Sequence, residues 1–275
     1  MSRQIISRAG LGFAAQIEQY GEMEMLRVCI DQPSLLMVRS GCKVLRWQQR
    51  EQIIEAGQAV VFAPGLVFDV TNRRGGTDGY RATSLGWDNA MISAAAALLH
   101  SDEPRRPVQT VQTLQPLGAI SADFYASYLH AVAGLANPSV PQPVARQRML
   151  EMLWWLADAG VQFSPDTRSS LGQRLRQLLV SDPGRPWSAA EVARHFATSE
   201  ATLRRRLAQE QLTLSSLLHE VRMASALTLL QCTSQSVTQI AQTVGYDSAS
   251  RFAIRFRQRY GFAPTGIRGH QREAA

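Results

Sequence analysis

The chain has 275 residues, of which 45% are apolar and 19% charged. That is enough for roughly two domains of about 100–200 residues, and too apolar for wholesale disorder. The longest apolar run, Ala90 to Leu99 broken only by Ser93, is about half a membrane span and argues against an integral membrane protein. The net charge of +7 is unevenly placed: residues 1–170 hold fifteen Lys/Arg and fifteen Asp/Glu, whereas residues 171–275 hold fourteen Arg and seven acids. A basic segment attached to a neutral one is the footprint of a nucleic-acid-binding domain joined to another module. Lys43 is the one lysine. A GC-rich genome explains Arg in place of Lys, but not why acids are scarce only in the C-terminal part.

At the N-terminus Arg3 and Arg8 precede a short apolar patch, which Gln16, Glu18 and Glu22 interrupt. A cleaved signal peptide is therefore not expected. Cys29, Cys42 and Cys232 are odd in number and far apart, which suggests a reducing cytoplasm and forms no CxxC zinc pair. From residue 20 to 90 short apolar runs alternate with turns: 34–39, Ser40-Gly41, 43–47, a polar turn at 48–51, 53–54, Gly57, 59–62, Pro64-Gly65 and 67–70. Strands about ten residues apart with Gly/Pro between them predict an antiparallel barrel or sandwich. Helices are expected at 91–100, 121–136 and 144–159, with Gly160 to Ser170 as the linker. From Leu171 the pattern is helical almost to the end, and no solenoid repeat or low-complexity tract is present.

Within the basic part, Ser188-Ala-Ala-Glu191 has the form of a capping box. Val192, Ala193 and Phe196 mark the apolar face of a short helix, and Ala197-Thr198-Ser199 the turn that follows. Ser199 is placed to cap a second helix from Glu200 to about Gln209. There Leu203 and Leu207 face inward, leaving Ala201, Thr202, Arg204 and Arg205 near or on the outer face. This is helix-turn-helix grammar, the second helix being the one for the major groove. Two short amphipathic helices with Arg outside could also be a plain bundle. A second copy follows: a helix over 236–244 stopped by Gly245, a turn at Tyr246-Asp247-Ser248, and a helix from Ser250 to Tyr260 ended by Gly261. Ser215 to Gln231 reads as a continuous helix of roughly 25 Å, a spacer able to hold two probes about one DNA turn apart.

Residues 187–268 resemble the DNA-binding domain of the AraC/XylS family of bacterial transcription regulators. The matching residues are Trp187-Ser188, Val192-Ala193, Ser199-x-x-Thr202-Leu203-x-Arg205, Arg222-x-x-x-Ala226-x-x-Leu229-Leu230, Ile240-Ala241, Val244-Gly245-Tyr246, Ser250-x-Phe252, Phe256-Arg257 and Tyr260-Gly261-x-x-Pro264 with Arg268. The resemblance implies base contacts from Ala201, Arg204 and Arg205, joined on that face by Thr202, and from Ala249, Ser250, Ala253 and Ile254. Ser199, Arg222, Ser248, Arg251, Arg255, Arg257 and Arg259 are the expected phosphate contacts. Two positions depart from the family: Ile254 stands where an Arg is usual, and Gln211 where a Gly is usual. The second probe would then read thymine methyls and shape, whereas Arg204 and Arg205 can each offer two donors to guanine.

The punctuation of the N-terminal part resembles the cupin-like barrel of many family members. The implied organisation is an α+β chain, with residues 1–165 a cupin-like effector-sensing and dimerisation domain and 171–275 the double helix-turn-helix domain. Residues 20–90 contain no histidine, and His100 and His130 fall on helices, so no metal, cofactor or enzyme activity is expected. Candidate effector-pocket residues are Arg39, Arg46, Trp47, Phe62, Phe68, Tyr80 and Trp87. The implied partners are double-stranded promoter DNA, RNA polymerase, a small-molecule or protein effector and a second copy of the chain. A cupin-type enzyme or sugar-binding module tethered to DNA is the alternative.

Overall fold

The computed structural model describes residues 5–19, 21–76, 79–99, 107–165 and 170–267. Arg3, His100 and Arg268 lie outside the described residues. The chain divides into two compact units, Met1–Asp166 and Thr167–Ala275.

The first unit begins with strands β1 (Ile5–Arg8), β2 (Gly12–Gln19), β3 (Met23–Ile30), β4 (Ser34–Ser40), β5 (Cys42–Trp47) and β6 (Arg50–Glu55). β7 (Gln58–Phe62), β8 (Leu66–Arg73) and β9 (Tyr80–Trp87) follow, then helix α1 (Asn89–Leu99). The short β10 (Gln109–Thr110), β11 (Leu114–Ala119), α2 (Ala122–Ala136), α3 (Gln142–Asp158) and β12 (Val161–Gln162) complete the unit. The strands form a six-stranded sheet, β1-β2-β9-β4-β7-β11, and a four-stranded sheet, β3-β8-β5-β6, while β10 and β12 pair separately. All pairs in the two larger sheets are antiparallel, and both sheets are open.

Strand alternation gives the six-stranded sheet two different faces. Leu35, Met37, Leu85 and Trp87 face α1, α2 and α3 and share a core with Met91, Phe124, Met149 and Leu153. Residues of opposite parity face the four-stranded sheet, where the Phe62 ring meets that of Phe68 at 5.6 Å and Trp47 meets Phe68 at 5.5 Å.

The pattern misled at four places. β1 and β2 lie before residue 20 and β11 lies beyond 90, so the expected strand region was too narrow. The turn expected at 48–51 contracts to Gln48 and Gln49, both at positive φ, because Arg50 and Glu51 already pair with Trp47 and Arg46. The helix expected from 144 starts at Gln142, since Pro143 falls in its first turn, where no backbone N–H is needed. The linker expected from Gly160 starts later, because Val161 pairs with Gln109 and Phe163 is buried against Trp87.

The second unit is helical: α4 (Leu171–Ser181), α5 (Ala189–His195), α6 (Glu200–Gln209), α7 (Leu214–Cys232), α8 (Val237–Thr243), α9 (Ala249–Tyr260) and a 3-10 turn at Pro264–Ile267. α7 has 19 residues, about 28 Å at 1.5 Å per residue.

Candidate nucleic-acid interface

Each of the two helix pairs on α7 is built from local rules. Ser188 and Glu191 form a capping box at α5, and Ser236 and Gln239 form the same box at α8. The Glu191 carboxyl is held down to about 2, chiefly by the Ser188 backbone N–H and then by Arg185. Each first helix ends in the same turn. Thr198 N donates to Ala193 O and Tyr246 N to Ala241 O, both at 2.9 Å. The residue before each closing amide is left-handed, Ala197 at φ 48° and Gly245 at φ 80°. Ser199 and Ser248 then cap α6 and α9, accepting from Thr202 N and Arg251 N.

The inward faces separate the motifs into two cores. Leu203 and Leu207 of α6 are buried with Val192 and Ala193 of α5, Leu217 and Val221 of α7, and Leu175 and Leu179 of α4. In the second motif Phe252, Phe256 and Tyr260 are buried, with Phe252–Phe256 at 5.6 Å and Phe256–Tyr260 at 4.8 Å between ring centroids. The aromatic stripe fixes which face of α9 is free. A polar strut adds to this, His219 of α7 meeting Tyr246 Oη at 3.1 Å. Burial, then Arg255 and Arg259, lowers the His219 pKa.

Of the base-reading candidates, Ala201, Arg204 and Arg205 are exposed on α6, and Thr202 is half-buried with its hydroxyl accepting from Ser199 Oγ at 3.0 Å. On α9, Ser250 is exposed, Ala249 and Ala253 are half-buried, and Ile254 is 59% exposed. Beside Ile254 a concavity of about 560 Å³ is lined by Tyr246, Arg251, Ile254, Arg255 and Gln258, among others.

The phosphate candidates divide. Arg251, Arg255 and Arg257 are exposed. Arg259 is half-buried, with its guanidinium 5.9 Å from the Tyr260 ring centroid, so the expected stripe of three has two outward members. Arg222 requires a correction. Its Nε donates to Pro183 O at 2.9 Å, its Nη2 to Arg185 O at 3.2 Å, and the group lies over Tyr246. Those carbonyls lie within the loop between α4 and α5, so Arg222 ties that loop to α7 and is not presented to a phosphate. Sequence reading also missed that α4 completes the first core. The i, i+4 pair Leu175 and Leu179 was the available signal.

Residues 192–270 match a family described as a helix-turn-helix domain. Over 191 residues the chain is 32% identical to the urease operon transcriptional activator of Escherichia coli, a match covering 67% of this chain and 64% of that one. The helix-turn-helix domain of this chain is of the AraC/XylS type. Its match to another E. coli protein, the DNA-binding dual transcriptional regulator Rns, is 34% identical over 96 residues and covers 35% of this chain and 36% of Rns. The matched part thus spans about a third of Rns. Among solved structures, an apo ToxT variant from Vibrio cholerae has a TM-score of 0.63 at 14% identity, covering 94% of this chain and 97% of that one. An unsaturated fatty acid-bound wild-type ToxT gives 0.60 at 13% identity, covering 96% and 95%. At that identity the likeness shows the fold alone.

The match to residues 192–270 leaves the N-terminal candidates to be placed by geometry. Trp47, Phe62 and Phe68 meet in the space between the two sheets, and Tyr80 lies apart from them there, with Lys43 Nζ 5.3 Å from its ring centroid. The other three candidates lie elsewhere. Trp87 points to the helices, where its Nε1 donates to Met149 O at 3.1 Å. Arg39 is exposed, with its guanidinium 4.0 Å from the Tyr125 ring centroid on α2. Arg46 lies on the outer face of the four-stranded sheet, paired with Glu51 at 2.7 Å and Glu24 at 3.1 Å. His130, expected on a helix, is an exposed residue of α2. Among the described residues no helix is long and apolar enough to cross a membrane.

Proposed function

We propose that this protein is a sequence-specific DNA-binding transcription regulator that reads two adjacent major grooves and activates the promoters it binds. The observation that carries the reading is the pairing of two capped helix-turn-helix units on one continuous helix, with Arg204 and Arg205 exposed on the first probe. Each bidentate Arg–guanine contact is worth about 1–3 kcal/mol of discrimination. Ala249, Ser250, Ala253 and Ile254 give the second probe a thymine-methyl and shape readout. Arg251, Arg255 and Arg257, with the N-termini of α6 and α9 at Ser199 and Ser248, hold phosphates and make affinity salt-dependent.

The relatives named above include transcriptional regulators and an activator, which supports regulation over enzyme chemistry. We assign residues 1–165, read as a cupin-like double sheet, to sensing and dimerisation, and residues 171–275 to DNA. The ToxT structure with a bound fatty acid supports a small-molecule effector, whose contacts we place among Trp47, Phe62, Phe68 and Tyr80. RNA polymerase and a second copy of the chain complete the proposed partners.

The test is selection of duplexes from random DNA with the full chain, followed by footprinting of wild type and Arg205→Ala. Arg205→Ala is expected to keep its melting temperature and lose protection at one half-site. Normal protection by that variant would remove Arg205 from the base-reading role.

A further inference from the structure

The first probe is fastened at its far end by a single carboxylate. Glu210, the residue that closes α6, accepts through Oε2 from Ser170 Oγ at 2.7 Å and from the Gly172 backbone N–H at 3.0 Å. Ser170 is at the same time the N-cap of α4, in a capping box with Gln173. A carboxylate is favoured there because the first N–H groups of a helix have no intrahelical partners. The contact joins the end of the first reading helix to the start of the first helix after the N-terminal unit.

The surrounding backbone is shaped for this contact. Gln211 is left-handed at φ 58°, a strained conformation for a residue with a Cβ, and Leu212 N returns to Leu207 O at 2.9 Å. That turn sets Glu210 and Leu212 against one residue of α4. A Cβ on Gly172 would lie 2.6 Å from Glu210 Oε2 and 2.5 Å from Leu212 Cδ1. Gly172 is buried inside a helix and has no positive φ, so space, not backbone freedom, is what a glycine supplies at this position. The second probe ends differently: α9 stops at Gly261 in the left-handed region, with its N–H returning to Arg257 O and no acid at the cap.

We propose that Glu210 is a positioning residue for DNA reading, a latch that holds α6 on α4 so that readout of the first half-site, and not the second, follows the chain at Ser170–Gly172. The inference rests on the DNA-reading role proposed above. Its physical basis is that Arg204 and Arg205 stand on the helix the latch holds, and a two-donor contact to a guanine edge tolerates little displacement. Nothing about Glu210 itself needs to touch DNA.

The test uses the full chain, a selected duplex, and the same duplex with its first half-site scrambled. Gly172→Ala displaces the carboxylate while placing the better helix former in α4, and Glu210→Ala removes the carboxylate without adding an atom. Both are expected to bind the intact duplex about tenfold more weakly, the loss of one bidentate contact, and to match wild type on the scrambled one. Glu210→Gln, whose amide oxygen still accepts, is expected to stay within about threefold of wild type. The proposal is overturned if Glu210→Ala binds the intact duplex like wild type. It is equally overturned if both variants lose affinity for the two duplexes alike, since that marks a general structural role. Melting temperatures identify a variant that merely unfolds, and Glu210→Ala then decides if Gly172→Ala is that variant. A selection that returns no preferred duplex overturns the DNA-reading role itself, and the latch with it.

Discussion

Lys43 Nζ donates to Asn72 Oδ1 at 2.7 Å in the space between the two sheets, and Asn72 Nδ2 donates to Gln19 Oε1 at 2.9 Å. The chain of three side chains ties β5 and β8 of the smaller sheet to β2 of the larger one. It also places the molecule's one lysine, 6% exposed, where an ammonium is poorly solvated.

Burial lowers the Lys43 pKa from 10.5 to about 7. The unfolded chain then holds more protons than the folded one between those two pH values, so stability rises with pH across that window. Below about 7 the cost of the buried charge is fully present. At about 1.4 kcal/mol per pH unit the whole window corresponds to roughly 5 kcal/mol. Urea melts at pH 7 and pH 9.5 are expected to show wild type gaining stability relative to Lys43→Met, whose own change lacks this contribution. Parallel pH profiles for the two proteins would contradict it.

The matched turns predict opposite outcomes for two small changes. Ala197→Gly relieves a left-handed alanine, and a net gain of about 0.5–1 kcal/mol is expected after the extra chain entropy. Gly245→Ala adds a Cβ at positive φ, 2.6 Å from Arg222 Nη2 and 2.7 Å from Gly184 O. A loss of roughly 2 kcal/mol or more is expected. Thermal melting of the two variants checks both signs.

Arg222 and Arg251, both expected at phosphates, differ in kind. Arg222→Ala leaves the carbonyls of Pro183 and Arg185 without their partner and is expected to cost about 1–3 kcal/mol of stability. Arg251→Ala leaves stability unchanged and is expected to reduce the salt slope of DNA binding by about 1. Melting curves and salt titrations of both proteins separate the roles.

The cap at α5 predicts an acid response. With its carboxyl held at about 2, Glu191 contributes stability that is present above the ordinary carboxylate pKa of about 4.5 and lost as pH falls toward about 2. Glu191→Gln is expected to flatten that part of the acid-unfolding curve. Ser188→Ala is expected to cost about 1 kcal/mol at neutral pH.

The C-terminal unit was largely legible because its signals are local. Ser188–Glu191, Ser199 and Gly245 each act within a few residues, and Leu203, Leu207, Phe252 and Phe256 mark their buried faces by spacing alone. Arg222 was misread because nothing within its own helix reveals that Pro183 and Arg185 turn their carbonyls toward it. Glu210 was missed for the same reason, its partners Ser170 and Gly172 being about 40 residues away. In the N-terminal unit the strands from Ser34 to Val70 showed through their turns, but the register did not. A one-residue change of register moves every side chain to the other face, and this is what placed Trp87, Arg39 and Arg46 away from Phe62 and Tyr80.

Hydroxyl-radical footprinting of the full chain on a selected duplex shows if two probes carried by one rod reach the DNA together. Two protected patches on one face of the DNA, about one helical turn apart, with Arg205→Ala erasing one and Ile254→Ala weakening only the other, is the predicted result. A single protected patch, or uniform protection that follows salt but not sequence, would contradict it.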